Sequence, residues 1–406
     1  MAILARRFGP ENLALAEDVV QDALLKAMQT WPFTGVPDNP SAWILQTARN
    51  RAIDHLRRSR QWQSKEPMAA GVVEDGLVSA LRALTPRFED EIQDSQLRLM
   101  FVCCHPGLPA DAQVALTLKV LGGFGEREIA AAFLAHESAI AKRLVRARQF
   151  LREEKISTEL PRPDELAPRL AAVHQALYLM FNEGYKASQG SSLLREDLCA
   201  EAIRLGELVA SFFDQSHASH ALLALMYFNA ARLPARTDPT GNILLLLEQD
   251  RASWDRTKIS RGLAHLTASA GSPQVNRFHL EAGIAACHAL APNAAATDWE
   301  QILDLYDQLL RVDPSPVAAV NRAVAVAKVR GAAAGLQALA TMADRQAVEA
   351  YSPLHVVSGQ LWLDHGQPAK AVRSFRRAWE LATLEVEREH LARRIAAAEK
   401  ACELSP

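Results

Sequence analysis

Residues 137–152 combine the residue types and the spacing of a helix that lies in a DNA groove. Five cations fall within eleven positions: Lys142, Arg143, Arg146, Arg148 and Arg152. The apolar residues recur at helical intervals and should face a core: Ile140, Leu144, Ala147 and Leu151. Such a helix fits a major groove, with early residues near base edges and later arginines on phosphates. A solvated basic face is the alternative interpretation of this helix taken alone.

The segments before this helix complete a helix-turn-helix pattern. Residues 109–111 open a helix that the glycine pair at 122–123 ends, and a shorter helix is predicted over 126–133. A turn at 134–136 then leads into the basic helix. A glycine-marked break, a short helix, a brief turn and a longer basic helix are typical of helix-turn-helix proteins. The combination favours DNA binding over a solvated face.

A second basic helix is predicted to begin at Ser41, as its N-cap, and to run to about Arg60. Its polar face sets five arginines against one carboxylate, Asp54; these arginines are Arg49, Arg51, Arg57, Arg58 and Arg60. Arginine clusters attract the phosphate chain, and aromatic residues such as Trp43 and Trp62 can stack on unpaired bases. Burial of Trp43 in a core is the other interpretation, with the arginines merely solvated.

The helix before Ser41 has an apolar stripe and a polar side. It is predicted over 15–28, with Leu24 in the stripe. The polar side consists largely of Asp18, Gln21, Asp22 and Lys26. Trp31-Pro32 should end this helix, because proline disfavours the helical conformation of the residue before it. Three prolines and one glycine within 32–40 predict a loop.

Composition and charge indicate a soluble, all-α protein of several domains. Hydrophobic residues make up 49% and charged residues 23%, alanine and leucine dominate, and hairpin signals are missing. Residues 1–66 carry a net charge of +2, residues 67–94 of −4 and residues 95–152 of +4. Contacts with DNA must therefore come from local basic faces. Five irregularly spaced cysteines and the absence of a long apolar run predict a cytoplasmic protein with no membrane partner.

Two runs of sequence together resemble a known family. Residues 16–23, followed by 43–45, 48–50 and 54–58, resemble the second conserved region of extracytoplasmic-function sigma factors of the sigma-70 family. Residues 121–124, 128–134 and 142–148 resemble their fourth region. The resemblance covers about residues 1–155, and finding both regions in order is far more specific than finding either alone. It implies binding to core RNA polymerase and promoter DNA.

The resemblance also implies roles for individual residues. Those that would dock on polymerase are Asp18, Gln21, Asp22 and Lys26. Those that would engage the melted −10 element are Asn50, Asp54, Arg57 and Arg58. Those that would face the −35 element are Ser138, Ala141, Lys142 and Val145, and the phosphates there would be held by Arg143, Arg146 and Arg148. The acidic linker would imitate nucleic acid near the RNA exit path, or serve only as a solvated tether.

The rest of the chain is predicted to be helical. The glycines Gly331 and Gly366 lie 35 residues apart, which is close to the tetratricopeptide period, and Ala371, Phe375 and Ala378 suit the small-large-small packing of that repeat. Unrelated helical packing is the alternative. Residues 181–185, 197–205 and 321–325 resemble the C-terminal extension of a sigma-factor subgroup with a tetratricopeptide-like tail. We expect this extension to regulate the protein through a protein or ligand.

The predicted domains are a sigma region 2-like part at 1–62, an acidic linker at 63–95, a sigma region 4-like part at 96–155 and the extension at 156–406. The first helix of the family normally begins further upstream than this chain allows, so a shortened start would weaken the first domain. One rival interpretation is a helix-turn-helix regulator with a sensing tail that does not dock on polymerase. Another is a repeat-type scaffold without DNA affinity.

Other polar groups give weaker signals. Cys103-Cys104-His105 could belong to a metal or redox site, but no second ligand pair follows at zinc-finger spacing, and buried cysteines are the favoured interpretation. Glu183, Tyr185 and the pair Trp254-Asp255 are polar groups in apolar surroundings; a hydrogen-bonded helix junction is the favoured interpretation, and a ligand site is the alternative. No catalytic or nucleotide-binding motif occurs, so we expect no enzyme activity, metal or cofactor.

Overall fold

The computed structural model describes residues 2–9, 12–63, 89–133, 135–154, 156, 163–188, 193–213, 215–238 and 242–403. Within these residues the chain folds into α-helices and short connections, and the extended pairing is limited to one isolated bridge between Thr237 and Ile243. The predicted all-α fold is confirmed. None of the helices in these ranges has the length and apolar character needed to cross a membrane. The chain divides into two compact units, Met1–Ala176 and Leu177–Pro406.

The first unit contains seven complete helices among its described residues and the start of an eighth. They are α1 (Ala2–Phe8), α2 (Leu13–Thr34), α3 (Pro40–Gln63), α4 (Glu89–Cys103), α5 (Ala110–Val120), α6 (Glu126–Ala132), α7 (Glu137–Glu153) and α8 (Pro163–Tyr185). A core built from Leu4, Phe8, Val19, Ala48 and Ile53 joins α1, α2 and α3. Helix α1 also packs on α4, and α7 packs on α5 and α6.

Helix α2 does not end where the sequence predicted. It continues through Pro32 to Thr34, so the predicted end at Trp31-Pro32 is wrong. Proline removes one donor from the helix ladder without ending the helix, because the remaining turns keep their bonds. Gly35 ends the helix instead: its φ of 81° lies in a region open to glycine, and its N–H donates to the Trp31 carbonyl at 2.9 Å.

The start of α3 also differs by one residue. The helix begins at Pro40, and Asn39 caps it by accepting a hydrogen bond from the backbone N–H of Ala42 at 2.9 Å. The predicted cap, Ser41, lies inside the first turn. Proline is favoured at the first helical position because its missing N–H has no partner there. The Asn-Pro pair is therefore the true start signal.

Most of the predicted acidic linker at 63–95 lies outside the described residues, which exclude 64–88. Its last part is helical, since α4 begins at Glu89. The sequence placed the return of regular structure near Leu97, and this was wrong by about two turns. The polar, acidic residues 89–94 hide the start of the helix from a hydrophobic-pattern search.

The second unit contains the end of α8 and ten further helices among its described residues. They are α9 (Glu196–Phe212), α10 (His217–Ala230), α11 (Arg256–Ser269), α12 (Arg277–Leu290), α13 (Trp299–Val312), α14 (Pro316–Arg330), α15 (Ala332–Thr341), α16 (Ser352–Asp364), α17 (Pro368–Leu381) and α18 (Glu385–Glu403). From α12 onward each helix packs on the next one along the chain. The segment between α10 and α11 holds two short 3₁₀ turns, Leu233–Ala235 and Arg251–Ser253.

Close packing in the hairpin of α16 and α17 explains the pattern of small and large residues there. Ala371, Phe375 and Ala378 are buried, as the small-large-small pattern predicted. Gly359 of α16 faces the ring of Phe375 so closely that a Cβ at this position would lie 2.6 Å from ring atom Cε1. A glycine is thus required at 359 by packing, although glycine weakens a helix interior.

We expect Gly359→Ala to lower the free energy of unfolding by about 1–3 kcal/mol, because the added methyl overpacks the hairpin. This loss should exceed the gain of about 0.5–1 kcal/mol from better helix propensity. The urea denaturation midpoint of the full chain measures the effect. In a Phe375→Leu background the penalty should shrink, because the smaller side chain makes room. An equal penalty in both backgrounds would contradict this account.

Candidate nucleic-acid interface

The helix-turn-helix forms where the sequence predicted it. Helix α5 spans Ala110–Val120, α6 spans Glu126–Ala132 and α7 begins at Glu137. Gly123, with a φ of 69°, turns the chain after α5. Glu128 then fixes the start of α6, because its Oε2 accepts the backbone N–H of Gly125 at 2.6 Å. Local turn and cap chemistry therefore sets the angle at which α7 leaves the domain.

Helix α7 presents the side that the sequence predicted. Its stripe of Ile140, Leu144, Ala147 and Leu151 is buried. Lys142, Val145 and Arg146 are exposed, and Val145 keeps 61% of its surface free. Ser138 is also exposed, whereas Ala141 is half-buried. An apolar valine in solvent between two cations is expected of a helix that contacts thymine methyl groups and phosphates.

The three arginines that the sequence assigned to phosphates differ in their surroundings. Within the described part of the chain, Arg146 has no ion-pair partner. Arg143 pairs with Asp111 at 3.3 Å and lies over the Phe133 ring at 5.3 Å. Arg148 pairs with Glu17 of α2 at 2.5 Å. Only Arg146 is therefore immediately available to a phosphate.

Glu17 connects the two halves of the first unit. Its carboxylate forms an ion pair with Lys119 of α5, with 3.0 Å between Lys119 Nζ and Glu17 Oε1, as well as with Arg148 of α7. The side chain of Glu17 keeps only 18% of its surface, and those of Lys119 and Arg148 keep 17% and 22%. A charge-assisted pair this shielded from water is stronger than a surface pair. The sequence could not reveal it, because Glu17 and Arg148 are 131 residues apart.

Helix α3 carries the residues assigned to the −10 element. Asn50 and Asp54 are exposed on it, and Asn50 accepts a hydrogen bond from Gln46 at 3.2 Å. Arg57 and Arg58 lie in the same helix, but their side chains are outside the described part. Trp43 is half-buried and meets Trp31 edge-to-face, with ring centroids 5.4 Å apart. This contact combines features of both interpretations of Trp43, because one edge packs on α2 and the rest stays accessible.

Helix α2 carries the residues assigned to polymerase docking. Asp18, Gln21, Asp22 and Lys26 are all exposed. Asp18 also lines an open cleft of about 430 Å³ with His55 and Arg152. The four residues recur at three- and four-residue intervals, so they share one side of α2.

The same helix exposes an apolar surface that the sequence reasoning missed. We call it the α2 surface; it consists of Leu24, Leu25, Met28, Phe33 and Val36. Met28 and Phe33 keep 74% and 89% of their area in solvent. Leu24 was predicted to face the core, and this was wrong, since it is 44% exposed. Exposed large apolar residues in such number along one helix and the residues after it are a candidate interaction site.

The cysteine pair lies in the core of the first unit. Cys103 and Cys104 are buried, and burial raises the pKa of Cys104 to about 12. The thiol of Cys104 lies 3.4 Å from the Thr117 hydroxyl. Across the described ranges, no group of three metal-ligating side chains comes together. The two cysteines act as small core residues here.

Three families match parts of the chain. Sigma-70 region 2 matches residues 2–63, and Sigma-70 region 4 matches residues 98–151. A family of unknown function, DUF6596, matches residues 169–270. The two sigma regions coincide with α1–α3 and with α4–α7. Sigma-70 regions 2 and 4, in this order on one chain, support a sigma-70 family factor.

Two curated proteins are similar to the chain. Uncharacterized protein R00370 of Rhizobium meliloti (strain 1021) is 38% identical over 388 residues, which is 94% of this chain and 89% of the relative. The chain belongs to the same family as that protein. Probable RNA polymerase sigma factor RfaY of Xanthomonas campestris pv. campestris is 27% identical over 143 residues, which is 35% of this chain and 34% of the relative. The search of solved structures gives no match.

We expect Glu17→Gln to strengthen binding to duplex DNA, because the loss of the carboxylate frees Arg148 and Lys119 for phosphates. The salt dependence should steepen, with the slope of log K against log[salt] growing by about one to two. Fluorescence anisotropy of a random-sequence 30-bp duplex measures it. Glu300→Gln is the matched control, since Glu300 is exposed in α13 and the same charge is removed. Identical slopes in the wild type and both variants would refute the expectation.

Proposed function

We propose that the chain is an extracytoplasmic-function sigma factor that binds core RNA polymerase, selects promoters, opens them and is regulated by its helical extension. The observation that carries this proposal is the pair of sigma-70 regions in order, each with an exposed surface of suitable chemistry. The similarity to a probable RNA polymerase sigma factor supports it over 35% of the chain. The protein itself supplies binding, and the polymerase supplies the chemistry.

Polymerase docking is assigned to α2. The α2 surface offers apolar area, and Asp18, Asp22 and Lys26 offer charges beside it. An apolar centre with a charged rim is typical of protein–protein interfaces. A simple helix-turn-helix regulator would not need this second surface, so the α2 surface favours a sigma factor over that rival.

Promoter contacts are assigned to α3 and α7. Asn50, Asp54, Arg57 and Arg58 would hold an unpaired base and its strand at the −10 element, where hydrogen bonding and stacking limit opening to matching sequences. On α7, Ser138, Ala141, Lys142 and Val145 would read the −35 element. Phosphates there would be bound by Arg143, Arg146 and Arg148.

This assignment requires the first unit to open. The −35 and −10 elements are about 25 base pairs apart, which is roughly 85 Å at about 3.4 Å per base pair. Helix α2 is only about 33 Å long at about 1.5 Å per residue. The Glu17–Arg148 contact holds α7 directly against α2, so the two promoter elements cannot be bound at once in this arrangement. Polymerase would provide the surface that separates the two regions.

The extension is proposed to be tetratricopeptide-like and regulatory. Successive helices pack on their neighbours from α12 onward, and the α16–α17 hairpin has the small residues that the repeat needs. Stacked hairpins form extended surfaces for partners. We assign the four segments 1–62, 63–95, 96–155 and 156–406 to region 2, the linker, region 4 and this extension.

Leu25→Glu should weaken core polymerase binding at least 10-fold, because a buried charge at an apolar interface costs more than about 1.4 kcal/mol. Binding to a random-sequence duplex should not change. Val275→Glu is the matched control, because Val275 is equally exposed in the second unit. Titration of labelled core polymerase with each full-length variant gives the affinities. Wild-type affinity in Leu25→Glu would remove the docking assignment.

Lys142→Glu should reduce run-off transcription from a cognate promoter at least 10-fold while core polymerase binding stays intact, since the reversed charge faces the groove. Lys400→Glu, an exposed reversal at the far end of the chain, should leave the transcript yield unchanged. If the chain binds duplex DNA but supports no polymerase-dependent transcript at all, the helix-turn-helix regulator becomes the better interpretation.

A further inference from the structure

Three arginines of the second unit converge between α10 and α11. Arg232 and Arg236 flank the first 3₁₀ turn, and Arg251 opens the second. Arg236 lies 3.9 Å from the centre of the Tyr185 ring, and the Arg232 guanidinium donates to the hydroxyl of the same tyrosine. Arg232 and Arg251 lie over the ring of Trp254, at 6.0 and 4.9 Å from its centre. The two aromatic rings therefore form the base of one cationic cluster.

Among the described residues, no carboxylate pairs with these three arginines. All hydrogen bonds of the three arginines go to neutral oxygens of the described residues: the carbonyls of Tyr185, His288 and Ala291 and the hydroxyls of Tyr185 and Thr297. Other arginines of this unit do have acidic partners, such as Arg277 with Glu281 and Asp313. Charges away from water are normally paired, because their desolvation is costly. Arg251, which is 8% exposed, departs from this rule.

The cluster also has more hydrogen-bond donors than acceptors. The Nε atoms of Arg232 and Arg251 are buried without an acceptor in the described structure, and so is Nε1 of Trp254. Trp254 is 2% exposed and Arg251 is 8% exposed, so bulk water does not satisfy them. Arg232 and Arg236 keep more of their surface and give solvent access to the cluster. An acceptor with negative charge would satisfy these three donors and the three positive charges beside them.

The electrostatic surroundings agree with this picture. Burial would by itself raise the pKa of Tyr185, but Arg232 and Arg236 outweigh burial and hold that pKa below its usual value. Burial lowers the pKa of His288 to about 4, with Arg232 and Arg251 adding to the effect. The imidazole of His288 is thus neutral at pH 7 and adds no further cation. The positive potential comes from the arginines alone.

We propose that Arg232, Arg236 and Arg251 form a binding site for the phosphoryl group of a small molecule, through which the extension senses its signal. A phosphoryl group fits better than a carboxylate, because it carries up to two charges and offers three oxygens to donors from different directions. Guanidinium forks suit phosphate oxygens, and the tryptophan indole can donate in addition. The sensing role rests on the proposed function, whereas the binding site stands on the cluster itself.

The test measures thermal unfolding of the full-length protein with inorganic phosphate as the probe, and with acetate and chloride at the same ionic strength. Phosphate should raise Tm in a saturable way, by about 5 °C at 100 times Kd, because it binds the folded state only. Acetate and chloride should have at most a small effect. No rise with phosphate, or the same rise with all three anions, overturns the site.

Single substitutions test which arginines produce the rise in Tm with phosphate. Arg236→Gln should abolish the phosphate response while the circular dichroism spectrum stays helical. Arg232→Lys keeps the charge but loses the fork, so it should raise the Kd for phosphate at least 10-fold; it serves as the second variant if Arg236→Gln does not fold. Arg261→Gln is the matched control, since Arg261 is paired with Glu207, and it should keep the full response. A full response in both cluster variants refutes the proposal.

Failure of this site and failure of the proposed function give different results. The phosphate response is measured without polymerase or DNA, so run-off transcription can succeed where phosphate does not bind. Conversely, a chain that binds phosphate through these arginines but supports no transcription would keep the site and lose its sensing role.

Discussion

Burial of one narrow stripe on each N-terminal helix determines what the opposite side can do. In α7 the stripe of Ile140, Leu144 and Leu151 leaves no freedom in which residues face solvent. In α2 the small core residues Ala16 and Ala23 do the same, and they turn both the acidic residues and the α2 surface outward. The exposed sides of α2 and α7 are thus a by-product of core packing, and a change that rotated either helix would displace the residues on that side together.

The carboxylate of Glu17 forms the charged contact of α2 with α5 and α7 in the first unit. Glu17 offers two oxygens to Lys119 and Arg148, which is what a DNA backbone would offer to the same cations. The ion pairs add to the packing of α1 on α4, which also joins the two regions. Under the proposed function this carboxylate would compete with DNA for Arg148 and Lys119, and one side chain would couple promoter affinity to internal packing.

The sequence predicted most where the signals are local. Glycine breaks and helix periodicity gave the bounds of α5, α6 and α7 closely, because caps and turns depend on neighbouring residues. It failed at Pro32, where the surrounding turns tolerate one missing donor, and at Leu24, where periodicity cannot tell a core from a docking surface. It could not predict the Glu17 pair or the arginine cluster. These contacts join residues far apart in sequence, and only tertiary packing brings them together.

Helices α13 to α18 touch mainly the element before and the element after themselves. In such an array the total stability is approximately the sum of the contributions of the individual helices and of the contacts between neighbours. Strain applied at one end can therefore spread along the stack as small rotations between hairpins, without unfolding any of them. An array built from neighbour contacts tolerates a change in the number of its helices.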